Sequence, residues 1–384
     1  MVNLPNKLEQ KLEKRRLENA LRVLPEAQQL IDFSSNDYLG LAKKKEFSKL
    51  ALSLLENLNL TENGASGSRL LTGNHRLYQK LENFLAFYHK SSAALVFNSG
   101  YDANIGFFEA VPQKGDLIFY DELVHASIRD GIKMSNAKAY KFKHNSLDDL
   151  LLCVERSRNA TSENAVIYIV TESVFSMDGD SPNLKTLSDF CLEYKCHLII
   201  DEAHANGIFG DGKDLVCQLG IEDHVFARVI TFGKALGNHG AAILGSDALK
   251  TYLVNFARSL IYTTALSPHA LATTLIAYEY LEKEGVRERT KLQKNIEFFK
   301  NQAKLLGLSK DFIESNSAIH CIIIPGNEKV KQVSNKLWEE GFNVKPILSP
   351  TVKTGQERLR FCLHPYNTTE EISKVLSTIR NLIK

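Results

Sequence analysis

The sequence predicts an α/β protein in which a large domain with a mostly parallel central sheet precedes a smaller α+β domain. Three observations predict this fold class. Short apolar runs alternate with helix-length amphipathic stretches between about residues 93 and 232, a pattern typical of a parallel sheet covered on both faces. Beyond about residue 280, charged helical stretches lead to two further strand candidates. The length of 384 residues is enough for two or three domains with ample core.

The N-terminal elements are predicted from leucine spacing. Over residues 7–24, leucines recur at near-helical spacing among charged residues, which indicates an amphipathic helix. A loop rich in Asn, Asp and Gly follows at 34–40, and a Gly/Ser cluster covers 64–73. The apolar side chains between 77 and 88 fall on one face of a second helix. We expect an N-terminal helix and loop segment at 1–40, the large domain at 41–280 and the small C-terminal α+β domain at 281–384.

Five strand candidates lie in the middle of the chain, and two more follow near its end. The first five are ALVF 94–97, LIFY 117–120, VIYIV 166–170, HLII 197–200 and VITF 229–232. A crossover helix is predicted over 184–194, and charged helices over 282–306. The later strand candidates are IHCIII 319–324 and RLRFCL 358–363. The last helix begins with Thr368-Thr369-Glu370-Glu371, a capping-box pattern.

Composition excludes several classes of function. The 47 Lys and Arg residues nearly balance the 45 Asp and Glu residues, so no basic field is available for nucleic acid or an anionic membrane. The first 20 residues lack the apolar stretch of a signal peptide, and no apolar run could span a bilayer. Six cysteines show no Cys-x-x-Cys spacing. We expect a cytoplasmic protein with reduced cysteines, without a metal site and without nucleic-acid or membrane partners.

Polar side chains follow the strand candidates at the positions where ligands bind in open α/β sheets. The turn at 98–104 could open a helix whose free N–H groups would suit a phosphate. His125, Asp201, His204 and Lys234 follow three further strand candidates. Each residue alone also has an ordinary structural explanation, such as a helix cap or a solvated lysine. Their convergence at one sheet edge favours a site.

Two other motifs are discounted. Asp201–His204 spells DEAH, and Gly207–Lys213 matches the spacing of a nucleotide-binding loop. However, Asp214 stands where that loop needs Ser or Thr for magnesium, and no strand immediately precedes the glycines. A zinc site of His125, His204 and a carboxylate has no supporting motif.

The strand-end residues suit pyridoxal 5′-phosphate. A lysine can form a Schiff base with the cofactor aldehyde, and a carboxylate can keep the pyridine nitrogen protonated so that the ring accepts electrons. Lys234 and Asp201 offer these two groups, and the turn at 98–104 offers a phosphate nest.

The sequence resembles the α-oxoamine synthases, a family of fold-type I pyridoxal phosphate enzymes, from about residue 8 to the C-terminus. The matching segments are Phe33–Gly40, Gly67–Arg69, His125–Ser127, Glu172–Asp180, Asp201–His204, Thr231–Lys234 and Pro350–Val352. The resemblance implies a fold-type I transferase whose large domain at 41–280 binds the cofactor.

The resemblance also implies residue roles. Lys234 would bind the cofactor and move the substrate Cα proton, Asp201 would pair with the pyridine nitrogen, and His204 would bond the ring oxygen. His125 would stack on the ring. The implied phosphate-side residues are Gly100, Tyr101, Ser176, Thr231 and, reaching the site of a neighbouring subunit in a homodimer, Thr264. The implied substrate-binding residues are Arg22, Asn36, Ser68, Thr351 and Arg360, the last as a clamp for the amino-acid carboxylate.

The implied reaction is a decarboxylative condensation of L-alanine with a pimeloyl thioester, carried by coenzyme A or acyl carrier protein, in biotin synthesis. Leu348 stands where many family members carry an arginine that could recognise an acidic acyl chain. Ser68 stands where glycine-using relatives carry threonine, which favours alanine modestly. The sister activities of serine palmitoyltransferase and glycine C-acetyltransferase therefore stay open, as does a non-catalytic partner subunit, against which Lys234 argues.

Overall fold

The structure of the protein is a computed structural model that describes residues 4–24, 29–158 and 164–383. The chain packs into two compact units. The large unit comprises residues 36–176 and 181–290, and the small unit comprises residues 1–35, 177–180 and 291–384. The domain boundaries expected near residues 40 and 280 stay a prediction, and each unit is described by itself.

Helices and strands alternate through most of the chain. The described strands are β1 (Ile31–Asp32), β2 (Ala93–Phe97), β3 (Leu117–Asp121), β4 (Lys138–Phe142), β5 (Ile167–Glu172), β6 (His197–Asp201), β7 (Ala227–Thr231), β8 (Ala241–Gly245), β9 (Ile319–Ile323), β10 (Phe342–Asn343), β11 (Lys345–Ile347) and β12 (Arg358–Cys362). The described α-helices are α1 (Asn6–Leu17), α2 (Lys45–Asn57), α3 (Arg76–Tyr88), α4 (Gly100–Ala110), α5 (Ala126–Met134), α6 (Leu147–Arg158), α7 (Leu184–Glu193), α8 (Leu215–Leu219), α9 (Asp247–Phe256), α10 (Arg258–Ile261), α11 (Pro268–Lys283), α12 (Val286–Leu305), α13 (Asn327–Glu339) and α14 (Thr369–Ile383).

The large unit is built on a seven-stranded sheet in the order β2-β8-β7-β6-β5-β3-β4. The pairs from β7 to β4 are parallel, and β8 runs antiparallel to both of its neighbours. Six strands therefore point the same way, and their carboxyl ends share one edge. The mostly parallel sheet expected from the apolar runs is confirmed.

Alternate residues of the central strands enter two different apolar clusters. Ile118, Val170 and Ile199 pack with α4, α5 and α9 on one side. Their chain neighbours, including Leu117 and Ile200, pack with α6, α7 and α8 on the other. Because successive strand side chains point to opposite faces, both faces of the sheet are covered, and this explains why these strands lack polar alternation.

The described residues of the small unit form two sheets. In one, β1 pairs in parallel with β10, and in the other β11, β12 and β9 are antiparallel. The capping box of α14 is confirmed, because Thr368 N donates to a Glu371 carboxylate oxygen at 2.9 Å and Glu371 N donates to Thr368 Oγ1 at 3.2 Å.

The N-terminal helix is shorter than the predicted span of 7–24. It ends at Leu17, and Asn19 adopts a left-handed backbone conformation with φ of +50°. The Ala20 N–H then donates to the carbonyl of Arg15 at 2.8 Å. This closing turn terminates the helix in the way that left-handed C-terminal residues commonly do.

None of the helices in the described part of the chain has both the length and the apolar character that crossing a membrane requires.

Candidate active site

A cavity of about 310 Å³ lies in the large unit at the carboxyl edge of the sheet. Residues at or just after the ends of β2, β3, β5, β6 and β7 line it, so five strand ends contribute to one space. Its lining consists of Asn36, Ser99, Gly100, Tyr101, Asn104, His125, Ser127, Glu172, Asp201, Ala203, His204, Thr231, Gly233, Lys234, His239 and Gly240. The volume is at the lower end of the range for small-molecule sites.

The N-terminus of α4 forms one side of the cavity. Ser99 caps the helix by accepting a bond from the Asp102 N–H at 3.1 Å. The first-turn N–H groups of an 11-residue helix suit an anion. Gly100 packs closely on the end of β7, because a Cβ built there would lie 2.7 Å from Thr231 Cγ2. The Tyr101 hydroxyl is turned to Asp130, to which it donates at 2.8 Å.

Asp201 ends β6 as a buried carboxylate with defined partners. One oxygen accepts from Asn104 Nδ2 at 2.9 Å, and the other accepts from the Ala203 N–H at 2.9 Å. Lys234 follows β7 and is half-buried in the lining of the same cavity. A carboxylate and a primary amine thus share one small space.

His204 is held by a tyrosine from the loop before α2. The Tyr38 hydroxyl lies 2.7 Å from His204 Nδ1 and donates to Asn36 Oδ1 at 3.1 Å. Tyr38 and His204 are both buried. Two predicted site residues, His204 and Asn36, are therefore joined through a third side chain.

His125 is the N-cap residue of α5. Its Nδ1 lies 2.7 Å from Ser127 Oγ and accepts from the Ser127 N–H at 3.2 Å. Its backbone N–H donates to Glu172 Oε1 at 2.6 Å. Burial is the main cause that lowers the pKa of His125; the Lys234 charge adds to it and Asp201 opposes it.

Glu172 ends β5 and lies opposite Asp201 in the parallel pairing of β5 with β6. Burial, reinforced by the nearby Asp201 charge, raises the pKa of Glu172 to about 8. Lys234 and the His125 N–H act in the opposite direction but do not cancel the shift. Besides the Asp201 carboxylate, the cavity therefore holds one carboxyl group, that of Glu172, whose raised pKa favours its protonated form near neutral pH.

The remaining predicted residues lie outside the lining of this cavity. Ser68 and Ser176 are half-buried in the large unit, and Thr264 is exposed there. The Thr264 carbonyl accepts from Asn98 Nδ2 at 2.6 Å, beside the cap of α4. The roles given to these residues by resemblance stay predictions.

Three predicted substrate-binding residues belong to the small unit. Arg22 donates to Thr351 Oγ1 at 3.3 Å, so the structure brings this pair together. Arg360 lies buried on β12 and contacts Cys362 Sγ at 3.0 Å. Their roles toward a substrate are likewise predictions.

Four residues with close contacts to the predicted set were given no role from the sequence. They are Tyr38, Asn104, Ser127 and Glu172. Tyr38, Ser127 and Glu172 stand in segments that carry the family resemblance, whereas Asn104 ends the turn at 98–104 that was expected to open a helix. Asn104 also has a buried Oδ1 without a hydrogen-bond partner in the described structure.

The donor set fits pyridoxal phosphate. A lysine amine, a carboxylate at a neighbouring strand end and the N-terminus of α4 face one cavity, which matches the aldehyde, the ring nitrogen and the phosphate of that cofactor. Gly100, the first residue of α4, has no side chain, and this allows it to pack closely on Thr231.

Comparison with known proteins gives consistent results. The family model for aminotransferase class I and II matches residues 28–379. An 8-amino-7-oxononanoate synthase from Emericella nidulans is 41% identical, over 94% of this chain and 90% of that protein. A solved 8-amino-7-oxononanoate synthase from Francisella tularensis has a TM-score of 0.76 at 30% identity, covering 92% of this chain and 97% of that chain.

A solved structure of SPT (serine palmitoyltransferase) with PLP (pyridoxal phosphate) has a TM-score of 0.86 at 25% identity, covering 98% of this chain and 96% of that chain. The family model and the synthase likeness each extend over more than nine-tenths of this chain. The resemblance noted in the motifs therefore extends to the whole fold.

Proposed function

We propose that this chain, which belongs to the aminotransferase class I and II family, condenses L-alanine with a pimeloyl thioester to give 8-amino-7-oxononanoate, CO2 and free thiol. The observation that carries the proposal is the 41% identity to an 8-amino-7-oxononanoate synthase over 94% of the chain. The cavity supports it, since Lys234, Asp201, His204 and His125 all line one space.

Pyridoxal phosphate, when bound, supplies an electron-accepting ring that stabilises negative charge at the substrate Cα. The N–H groups of Gly100 and Tyr101, with Thr231, would hold its phosphate. The Asp201 carboxylate would hold the proton on the ring nitrogen, and Asn104 and the Ala203 N–H orient that carboxylate. Tyr38 would fix the His204 ring beside the ring oxygen.

Lys234 is proposed to bind the cofactor aldehyde and then, as a neutral amine, to remove and return the proton at the substrate Cα. In the overall reaction a bond forms between this Cα and the acyl carbonyl carbon. The C–S bond breaks and the thiolate takes a proton from water. The bond from Cα to the carboxylate breaks with release of CO2, and Cα regains a proton.

The cofactor part of the proposal is tested by borohydride reduction of the holoprotein followed by peptide mapping. We expect one pyridoxyl group on Lys234, and none in the Lys234→Ala variant. Attachment to another lysine of the native protein would contradict the assignment.

The substrate part is tested by a product assay with alanine, glycine and serine against pimeloyl, palmitoyl and acetyl thioesters. We expect turnover with alanine and a pimeloyl group, carried by coenzyme A or acyl carrier protein. Turnover with serine and palmitoyl-CoA alone would assign the sister activity of the serine palmitoyltransferases. Glycine with acetyl-CoA alone would assign glycine C-acetyltransferase.

We also propose that the chain works as a homodimer in the cytoplasm. Leu71 and Tyr262 are 80% and 73% exposed in the single chain. They belong to two segments that are joined, because the Ala265 N–H donates to the Gly67 carbonyl at 3.0 Å. This exposed apolar surface lies next to Thr264, the residue expected to serve a neighbouring subunit. A second copy of the chain would cover it.

A further inference from the structure

A continuous set of hydrogen bonds joins Asp201 to His125 through Asn104, which also orients the Asp201 carboxylate, and Ser127, to which the proposed function gives no role. Asn104 Nδ2 donates to Asp201 Oδ2 at 2.9 Å and to Ser127 Oγ at 3.0 Å. Ser127 Oγ lies 2.7 Å from His125 Nδ1. Asn104 and Ser127 are buried, and all four residues belong to the large unit.

The directions of the bonds in this set follow from Asp201 at one end and from the Ser127 backbone N–H at the other. An ionised carboxylate only accepts hydrogen bonds, so the Asn104 amide must turn its NH2 group toward it. The same nitrogen then donates to Ser127 Oγ, which becomes an acceptor and has its own proton left to give. Because the Ser127 backbone N–H donates to His125 Nδ1, this nitrogen is an acceptor, and the hydroxyl proton can go to it as well.

His125 Nδ1 therefore faces two donors, the Ser127 hydroxyl and the Ser127 backbone N–H. A nitrogen that accepts two bonds carries no proton, and in a neutral imidazole the proton then lies on the other nitrogen. Protonation at Nδ1 would break the contact with the Ser127 N–H and would require the Ser127 hydroxyl to change from donor to acceptor.

We propose that Asn104 and Ser127 are positioning residues that hold His125 neutral with its proton on Nε2, so that His125 offers a hydrogen-bond donor to a substrate oxygen. His125 then acts as a donor, and it does not serve as a base through Nδ1. Only the identity of the oxygen that Nε2 meets rests on the proposed function.

The charges around the ring are consistent with a neutral state. Burial lowers the pKa of His125, and Lys234 and Arg129 lower it further, whereas Asp201 and Asp130 raise it. The Glu172 carboxyl contacts the backbone N–H of His125 and leaves the ring nitrogens to other partners.

The test is a pH titration of the purified holoprotein labelled with ¹⁵N-histidine, followed by NMR. The His125 signals are assigned by their loss in His125→Gln. At pH 7 we expect an unprotonated Nδ1 and a proton on Nε2. Because Ser127→Ala removes one donor to Nδ1, it should raise the pKa of His125 by about 0.5–1 unit.

Asn104→Ala provides a second variant, because it removes the bond that orients the Ser127 hydroxyl, and it should shift the pKa in the same direction. Ser188→Ala is the matched control: Ser188, on α7, is another buried serine whose hydroxyl lies 3.2 Å from a histidine Nδ1, that of the exposed His224. It should leave His125 unchanged.

The activity profile gives an independent readout. The acidic limb of kcat/KM should move to higher pH in Ser127→Ala by the same shift that NMR reports. A proton on Nδ1 of the native protein, or a His125 titration in Ser127→Ala equal to that in Ser188→Ala, would overturn the inference. Both NMR results are obtained without turnover, so they stand apart from any failure of the proposed function.

Discussion

Two carboxyl groups end neighbouring strands in the cavity, and their surroundings differ. Asp201 accepts bonds from Asn104 and from the Ala203 N–H. Glu172, beside it in the sheet, accepts from the His125 N–H, and burial next to Asp201 raises its pKa to about 8. Since two like charges so close together oppose each other, the pair favours one carboxylate and one carboxylic acid near neutral pH.

This difference predicts a pH-dependent stability. The folded-state pKa of Glu172 lies above its ordinary value of 4.5, so the native state binds more protons than the unfolded state between about pH 4.5 and 8. Stability should therefore fall as pH rises through this window. Glu172→Gln keeps the acceptor for the His125 N–H and removes the proton, so it should be more stable than the native protein at pH 8 by about 1 kcal/mol or more.

Thermal unfolding from pH 5 to pH 9 measures this effect. The control is Glu193→Gln, at an exposed position on α7, and it should follow the native curve. If the Glu172→Gln curve also runs parallel to the native curve, Glu172 is ionised in the folded protein throughout and the assigned protonation is wrong.

The strand-end argument identified the residues of the cavity that follow strands, and it could not identify their partners. Lys234, Asp201, His204 and His125 do line one cavity, because parallel strands bring distant segments to a common edge. Asn104 bonds Asp201 across 97 positions, and Tyr38 meets His204 across 166. Such contacts depend on side-chain packing, for which sequence spacing holds no signal.

At the level of elements, the site depends on how closely α4 approaches β7. Gly100 has an ordinary backbone conformation, so its requirement is space alone: an added Cβ would meet Thr231 Cγ2 at 2.7 Å. Real Cβ atoms do not lie this close to a neighbouring atom, and the helix end or the threonine must move. Both elements carry proposed phosphate contacts.

We therefore predict that Gly100→Ala weakens cofactor binding at least about tenfold, the equivalent of about 1.4 kcal/mol. Thr231→Ser removes the clashing methyl group, so the double variant Gly100→Ala/Thr231→Ser should bind better than Gly100→Ala alone. The measurement is cofactor affinity by absorbance titration of the apoprotein.

Gly64→Ala is the matched control for that experiment, because Gly64 has no atom within 4 Å of its Cβ position and no left-handed backbone. It should leave cofactor affinity unchanged. Equal affinity in Gly100→Ala and Gly64→Ala would show that the close approach has no role in binding.

Two strands of the large sheet were missed from the sequence, each for its own physical reason. β8 consists of Ala241–Gly245, and its small residues have low strand propensity. β4, Lys138–Phe142, is an edge strand with exposed lysines, which protect an edge but hide the apolar pattern. The strands β2, β3, β5, β6 and β7 were predicted within a few residues, because their apolar runs are uninterrupted.

At the level of the whole molecule, chain order and spatial grouping differ. Residues 177–180 leave the large unit and join the small one, where the Gly179 carbonyl accepts from Ser315 Oγ at 2.7 Å and Ser317 Oγ at 2.9 Å. Such a four-residue excursion has no composition or length signal. The division expected near residue 280 stays a prediction; it rests on a change in sequence pattern along the chain, which carries no information on contacts between distant segments.

The exposed apolar surface of the large unit makes a final prediction at this scale. If a second copy of the chain covers Leu71 and Tyr262, placing a charge there costs the desolvation of an unpaired carboxylate. Leu71→Asp and Tyr262→Asp should each weaken self-association at least about tenfold, since aromatic anchors commonly dominate interfaces. Cofactor affinity should fall in parallel because Thr264 lies beside this surface.

Sedimentation velocity across a dilution series measures the weakening of self-association. Val286→Asp changes another exposed apolar residue of the large unit, 64% accessible, and should leave both quantities unaltered. A native protein that is monomeric and fully active at every concentration would refute the proposed homodimer.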